Sequence, residues 1–484
     1  MKALKVTTLA LALAAAFPAA AQAQSNKELL NELRALKQRV TELEQKLKSE
    51  ESKKAAAPAT AAVAVPPAEP VQPGMTPDQQ AEFNRIAVKA EALEDARDAS
   101  GLRGLKISGY IDPTFIYNQR QDRAGFQFLN QVGDDGYNYD NGYFGMGQLD
   151  IQKEMDGGTK WRLTLQPNRG VGEVFSPGNI IAEASVSVPL TDLQTRFIAG
   201  QIPDWSGYEY LPGTQNKLIT HNLLFDFTLP TAYTGAGMEI TSGKWIVKGL
   251  LANMNASKKN SGNKAPVLAY RVDYAKGEFN GFGFAGVHGK AANLRADETD
   301  DTGSLVYPDQ SGKDTALNLF ELDGYFIRGD WTVQGQVSFG QQKKAAVYAN
   351  PDTGELQDAR WWGLSGLAAY KFTPQLEGIM RADYINNSKN GGGLLGYNFS
   401  DGRNGIGPGF VYDDAAGTWG EDPDSKGSNR YALTFGLGYA FNLNTVFKME
   451  YRYDGSNKHV FENVKDGSYK KDNQLFGVAT VVSF

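Results

Sequence analysis

Residues 473–484 read Asn-Gln-Leu-Phe-Gly-Val-Ala-Thr-Val-Val-Ser-Phe. Phe476, Val478, Thr480, Val482 and Phe484 alternate with Gly477, Ala479, Val481 and Ser483. A two-residue period puts successive side chains on opposite faces of a strand, so one face here is bulkier and more apolar than the other. About ten residues is also the length a tilted strand needs to cross a ~30 Å hydrocarbon core.

The same alternation recurs upstream. Strands read at 105–117, 143–154, 159–167, 179–188, 193–201, 236–242, 244–253, 266–276, 278–288, 316–327, 331–340, 361–372, 375–386, 430–441, 445–454 and 473–484. Short turns join pairs of them, as at 155–158, 189–192, Ser242-Gly243 and Thr373-Pro374. Long segments alternate with the turns: 118–142, 168–178, 202–235, 254–265, 289–315, 341–360, 387–429 and 455–472. An even strand number with short and long connections in alternation predicts an all-β transmembrane antiparallel β-barrel of about sixteen strands over 104–484. Sandwich strands average nearer about five or six residues. A solenoid would show a short fixed repeat, and none is present.

Composition agrees. The chain of 484 residues is 41% hydrophobic and 11% aromatic, with 54 Gly and a mean hydropathy of −0.41. A barrel needs an apolar residue only at every second wall position, so its average stays hydrophilic. The chain has no Cys, which removes disulfides, thiolate zinc sites and cysteine nucleophiles. Three His in separate segments offer no metal-ligand spacing, and a net charge of −6 lacks the footprint of nucleic-acid binding. No catalytic residue, cofactor or metal is expected.

Before the barrel the helical period rules. Met1 to Ala23 reads as a signal peptide: Lys2 and Lys5, the apolar run Val6 to Ala16, then Ala21-Gln22-Ala23. Residues 24–51 read as a coiled coil. Leu33, Val40 and Leu47 form one seam and Leu29, Leu36 and Leu43 the other; Glu32–Lys37, Arg39–Glu44 and Lys46–Glu51 are attractive flanking pairs. So short a coil is marginal alone and implies an oligomer held together elsewhere. Residues 52–75 form an Ala/Pro-rich linker. A short helix is expected over 76–100, started by the capping box Thr76-Pro77-Asp78-Gln79, with Phe83, Ile86, Ala90 and Leu93 on one face. Both barrel ends fall on the short-turn side, so the arm is expected in the periplasm and the long loops outside.

In such a wall apolar side chains face lipid and polar ones the lumen. Trp331, Val333, Val337 and Phe339 are expected outward, with Gln334, Gln336 and Ser338 inward. The same alternation makes Arg162, Arg196, Lys248, Arg271, Asp273, Arg381, Asp383, Lys448, Glu450 and Arg452 candidates for the lumen lining. Charges in a dry core are costly, so a water-filled lumen is expected to hydrate them. Diffusion of small hydrophilic solutes is the function this implies. The segment 202–235 carries Trp205, Tyr208, Tyr210, Leu223, Leu224, Phe225 and Phe227. That much apolar surface favours a loop folded into the lumen as a constriction over one latched onto a neighbouring subunit. Asp204, Tyr208, Glu209, Tyr210, Lys217, His221 and Asp226 are its candidates for contact with solute.

Gly200-Gln201-Ile202-Pro203, Gly207-Tyr208-Glu209, Thr220-His221 and Tyr233-Thr234-Gly235-Ala236-Gly237 resemble the fifth-strand and third-loop region of the phosphate-selective porin and OmpL-like barrels. Gly104 to Tyr110 resembles their first strand, and a coiled coil before a barrel is similar to DcaP-like porins. The resemblance implies a Gram-negative outer-membrane homotrimer taking up small, often anionic, solutes. It also implies that Phe484 is the signal read by the barrel assembly machinery. Outer-membrane lipid, lipopolysaccharide and peptidoglycan are the further partners expected of such a location. The loops lack the dense Arg or Lys cluster of a dedicated phosphate channel. Two other classes are a barrel whose arm tethers the membrane to the cell wall and a barrel enzyme.

Deleting residues 26–51 tests the coil. Loss of the trimer on native electrophoresis is the expected result, and an unchanged trimer would show that the barrel alone sets the oligomeric state.

Overall fold

A computed structural model of the chain describes residues 76, 82–92, 100–128, 145–166, 180–230, 232–254, 266–277, 279–293, 302–309, 313–346, 349–350, 352–389, 409–422, 424 and 426–484. The signal peptide, the coiled-coil seam and the linker lie outside them. Residues 1–92 and 93–484 are separate compact units. In the first, residues 82–92 are helical (α1), inside the helix expected over 76–100, and Phe83 and Ile86 are exposed. Among the described residues no helix is long and apolar enough to cross a membrane.

The second unit is built of strands. In chain order they are β1 (Leu105–Ile111), β2 (Thr114–Asn118), β3 (Arg123–Gln127), β4 (Gly147–Glu154), β5 (Lys160–Leu165), β6 (Ile181–Pro189), β7 (Thr195–Pro203), β8 (Ala232–Ser242), β9 (Trp245–Met254), β10 (Val267–Gly277) and β11 (Asn280–Ala292). Then come β12 (Asp314–Arg328), β13 (Trp331–Gln342), β14 (Ala359–Lys371), β15 (Leu376–Lys389), β16 (Phe410–Asp413), β17 (Thr418–Glu421), β18 (Arg430–Ala440), β19 (Thr445–Ser456), β20 (Phe461–Asn463), β21 (Ser468–Lys470) and β22 (Asp472–Ser483). Eighteen of them make one antiparallel sheet that closes on itself. The seam is β1 against β22, with Tyr110 opposite Ser483 and Ile111 opposite Val482. Gly109 and Phe484 exchange backbone hydrogen bonds of 3.1 and 3.0 Å there.

The eighteen strands form sixteen staves. β1 and β2 make one interrupted stave facing β22, and β3 and β4 make the next. The interruption falls at Asp112-Pro113. Proline cannot donate to a ladder, and the Asp112 side chain instead accepts from the Met146 amide across the gap.

Four features depart from the sequence reading. β3 lies within 118–142, read as loop, because its five residues are too few to show a period. β8 begins at Ala232 rather than 236. The long segments 387–429 and 455–472 carry the hairpins β16–β17 and β20–β21. The segment 202–235 contains a six-residue helix, α2 (Leu223–Thr228).

The alternation holds along the walls. Trp331, Val333, Val337 and Phe339 are exposed on the outer face, while Gln336 and Ser338 are buried inside. The interior itself is not uniformly polar, and this corrects the expectation that the inward side chains of the wall are polar. Leu250, Ala252, Val267, Ala269, Val287, Leu317, Leu319 and Trp361 point inward as one apolar cluster, against which Ile202, Trp205 and Leu229 pack. Apolar inward positions are stable only where something covers them.

An outward apolar band on a closed barrel should tolerate charge poorly in lipid. Val337→Lys, folded into vesicles and unfolded with denaturant, should lose about 2–4 kcal/mol; a loss within the scatter of wild type would show that this face does not meet lipid.

Candidate functional site: a loop inserted into the barrel

Residues 204–230 leave the end of β7 and enter the barrel, and their contacts run across the opposite wall. The Gly207 amide donates to Glu321 of β12 at 2.9 Å. The Tyr208 hydroxyl meets Ser365 of β14 at 2.6 Å. Glu209 accepts from Arg381 of β15 at 2.8 Å. Ile219 and Leu218 reach the inner faces of β22 and β18 at Gly477 and Gly436. A Cβ on Gly436 would stand 2.3 Å from Leu218, and one on Gly363 of β14 would stand 2.3 Å from Leu224. Those wall glycines are the sockets for two loop leucines.

Four charged wall residues clamp the loop backbone. Lys448 donates to the carbonyls of Gly213 and Asn216, both at 2.6 Å, and of Leu218 at 3.3 Å. Glu450 accepts from the Ile219 amide at 2.6 Å and the Thr220 amide at 3.1 Å, and from the Thr220 hydroxyl. Arg381 donates to the Thr220 carbonyl at 2.7 Å and the His221 carbonyl at 2.8 Å. Arg452 donates to that same His221 carbonyl at 2.6 Å. Behind them Asp383 accepts from Arg381 at 3.1 Å and from Ser365 at 2.7 Å, and Asp454 accepts from Arg430 at 2.7 Å. The turn that follows is capped: the Asn222 side chain accepts from the Phe225 amide at 2.8 Å, and Glu209 accepts from the Asn222 amide at 2.6 Å.

The near end of the loop is fixed as firmly. Arg271 of β10 donates to the Trp205 carbonyl at 2.7 Å and bidentately to Asp323 at 2.7 and 2.9 Å. The Tyr233 hydroxyl donates to Asp204 at 2.5 Å. Burial pushes the Asp204 carboxyl up to about 6, against the pull of Tyr233 and Ser206. Burial and then the nearby Glu209 carboxylate hold the Tyr208 hydroxyl well above its ordinary value.

The sequence-derived candidates therefore divide. Arg381, Asp383, Lys448, Glu450 and Arg452 point inward but are buried beneath the loop. Loop backbone and neighbouring charges, not water, compensate them, and this corrects the expectation of hydrated lining at these positions. Arg196 is also buried, bonded to Ser187 of β6 at 2.7 Å, and it ties two short turns through the Gly158 carbonyl at 2.6 Å and the Leu193 carbonyl at 3.3 Å. Arg271 is mostly covered. Arg162, Lys248 and Asp273 keep 39%, 31% and 26% of their side chains exposed. Arg162 sits between Asp150 at 2.8 Å and Glu183 at 3.3 Å, and Lys248 faces Glu239 at 3.2 Å. Of the loop candidates, Tyr208, Glu209, His221 and Asp226 are buried, and Asp204 is bonded to the Tyr233 hydroxyl. His221 stacks on Phe225 at 4.1 Å. Tyr210 is exposed, and Lys217 pairs with Glu377 at 2.6 Å while keeping part of its surface open. The sequence reading missed Asp112, Glu239 and Arg430. Arg430 opens its strand just after a long loop, where the alternation has no earlier turn to anchor it.

The family model described as "Protein of unknown function (DUF3138)" matches residues 1–484. The chain belongs to the DUF3138 family. No curated protein matches it. Among solved structures it is similar to the anion-selective porin of Comamonas acidovorans, 11% identical, TM-score 0.47, covering 78% of this chain and 99% of that one. It is also similar to the outer membrane channel DcaP of Acinetobacter baumannii, 11% identical, TM-score 0.44, covering 78% and 97%. A third is OmpT, an outer membrane protein of Vibrio cholerae, 9% identical, TM-score 0.46, covering 78% and 97%.

Removing the central guanidinium should free the loop. Arg381→Ala breaks a fully buried charge cluster and should cost about 3–5 kcal/mol, with protease cleavage newly appearing within 204–230 of the folded barrel. A variant as stable and as resistant as wild type would show that the clamp does not hold the loop.

Proposed function

We propose that this DUF3138 chain is an outer-membrane porin. Its passage is a water-filled gap between the inserted loop and the wall formed by β4 to β10, open to small hydrophilic solutes by passive diffusion. One observation carries the reading. The loop seals one side of the interior, while Arg162, Lys248, Glu239 and Asp273 on the other side stay partly exposed inside a closed barrel. Ionised groups on an enclosed wall need water or partners, and a sixteen-strand barrel is wide enough for an aqueous channel. The loop is then the constriction, and Tyr210 and Lys217 are the loop side chains presented to solute.

On this reading the short turns face the periplasm and the long loops face outside the cell. Residues 24–51 supply a periplasmic coiled coil to a homotrimer, with peptidoglycan within its reach. Phe484, whose backbone closes the barrel on Gly109, is the signal for the assembly machinery. Lipid and lipopolysaccharide surround the wall, and the chain is not an enzyme.

Purified protein in planar bilayers should give stepwise currents in groups of three. Tyr210→Ala should raise the unit conductance by roughly a tenth to a half, as a wider polar constriction does. Folded, inserted protein that carries no current would overturn the channel, and an arm that binds peptidoglycan in that case would favour the tether.

A further inference from the structure

We infer that the outer face of β11 to β15, at the long-loop end, binds the phosphate of a membrane lipid headgroup through Arg360 and Lys389. The inference uses the reading that the outer face meets a membrane, and it does not depend on the channel.

The register places a row of polar side chains across five neighbouring strands. His288 is opposite Asn318, Asn318 opposite Gln341, Gln341 opposite Arg360, and Arg360 opposite Lys389. Neighbouring strands lie about 4.8 Å apart, so side chains in one row are close neighbours. This row shares the outward parity of Phe320, Phe339 and Trp362, which form the next row toward the middle of the wall. The apolar band thus ends on an aromatic row, and a polar row with two full positive charges begins directly above it.

Those two charges are the unexplained feature. Like charges directly opposite each other destabilise a strand pair. Here the pairing is reached through a register shift: Trp362 faces Asn386, yet Arg360 faces Lys389, so one extra residue of β15 is taken up between them. Without that bulge another residue would face Arg360. Both side chains are exposed, and among the described residues neither makes an ion pair. Lys290 adds a third exposed cation one row higher, opposite Ala316. Asp358, just before β14 and two residues from Arg360, is engaged by Lys343 at 2.5 Å, Gln341 at 3.1 Å and the Lys344 amide at 3.2 Å. Among the described residues the cluster therefore keeps a net positive charge.

An anion relieves this repulsion, and its position identifies the source. Aromatic rings mark the interfacial level of a membrane, and basic groups at that level bind anionic headgroups. A phosphorylated lipid can set its phosphate on Arg360 and Lys389 while its acyl chains lie along Phe320, Phe339 and Trp362. A free phosphate ion would make no use of the aromatic row.

The full chain, folded in nonionic detergent, is titrated with a bisphosphorylated disaccharide lipid (lipid A) and, separately, with inorganic phosphate, while thermal unfolding is followed. Lipid A should raise the midpoint by about 2–4 °C at saturation, and inorganic phosphate should not. R360Q/K389Q should lose most of that shift. K371Q, at the other end of β14, should keep it. If the double variant fails to fold, R360Q and K389Q singly should each lose part of it. No shift in the wild type, an equal shift with inorganic phosphate, or a full shift in the glutamine variants would overturn the site. A barrel that does not enter vesicles would instead overturn the membrane reading, and vesicle insertion is scored on the same preparation.

Discussion

Arg381 is a fully buried guanidinium, and the interior is organised around satisfying it. Glu209, Asp383 and two successive loop carbonyls surround it. A lone ion in such a place would be intolerable, and even a paired one contributes little net stability. What the cluster supplies is position. Arg381 and Arg452 converge on the His221 carbonyl, Lys448 gathers three carbonyls, and Glu450 takes two amides. A backbone stretch with no ladder of its own receives its hydrogen bonds from the wall, which is the condition for irregular chain to lie inside a closed barrel.

That arrangement makes the interior lopsided. From β12 round to β22 the wall is covered by the loop, with leucines seated on wall glycines and buried charges between them. On β5, β8 and β9 three charged side chains stay partly exposed and pair along the wall: Arg162 with Asp150 and Glu183, Lys248 with Glu239. One stretch of wall thus holds the inserted chain through buried charges, and the other keeps its paired charges partly exposed. The same barrel also has a divided outer face, since a greasy band gives way to the cationic row at Arg360 and Lys389.

Much of the fold is legible in the sequence. The two-residue period located the staves to within a few residues, and the alternation of short and long connections implied closure with both ends on one side. The inward parity of Arg381, Lys448, Glu450 and Arg452 was equally plain. Their environment was not. Parity says which face a side chain occupies, and a covered inner face reads the same as a wet one. The apolar inward positions at Leu250, Val267 and Leu317 were a sign that something covers part of the interior, but continuous apolar stretches at strand ends look like lipid-facing surface. β3 and the small hairpins escaped because three to five residues cannot establish a period.

By itself, then, the sequence determined the sixteen-stave antiparallel barrel, the facing of its side chains, and a loop too apolar to stay in water. These follow from local geometry, since alternation and turn length act over a few residues at a time. Only the tertiary structure decided which charges serve the loop and which remain open, and that β14 and β15 meet with two cations face to face. Those outcomes join residues up to more than two hundred positions apart, as with Thr220 and Glu450. Such contacts depend on register and closure, which no local pattern encodes.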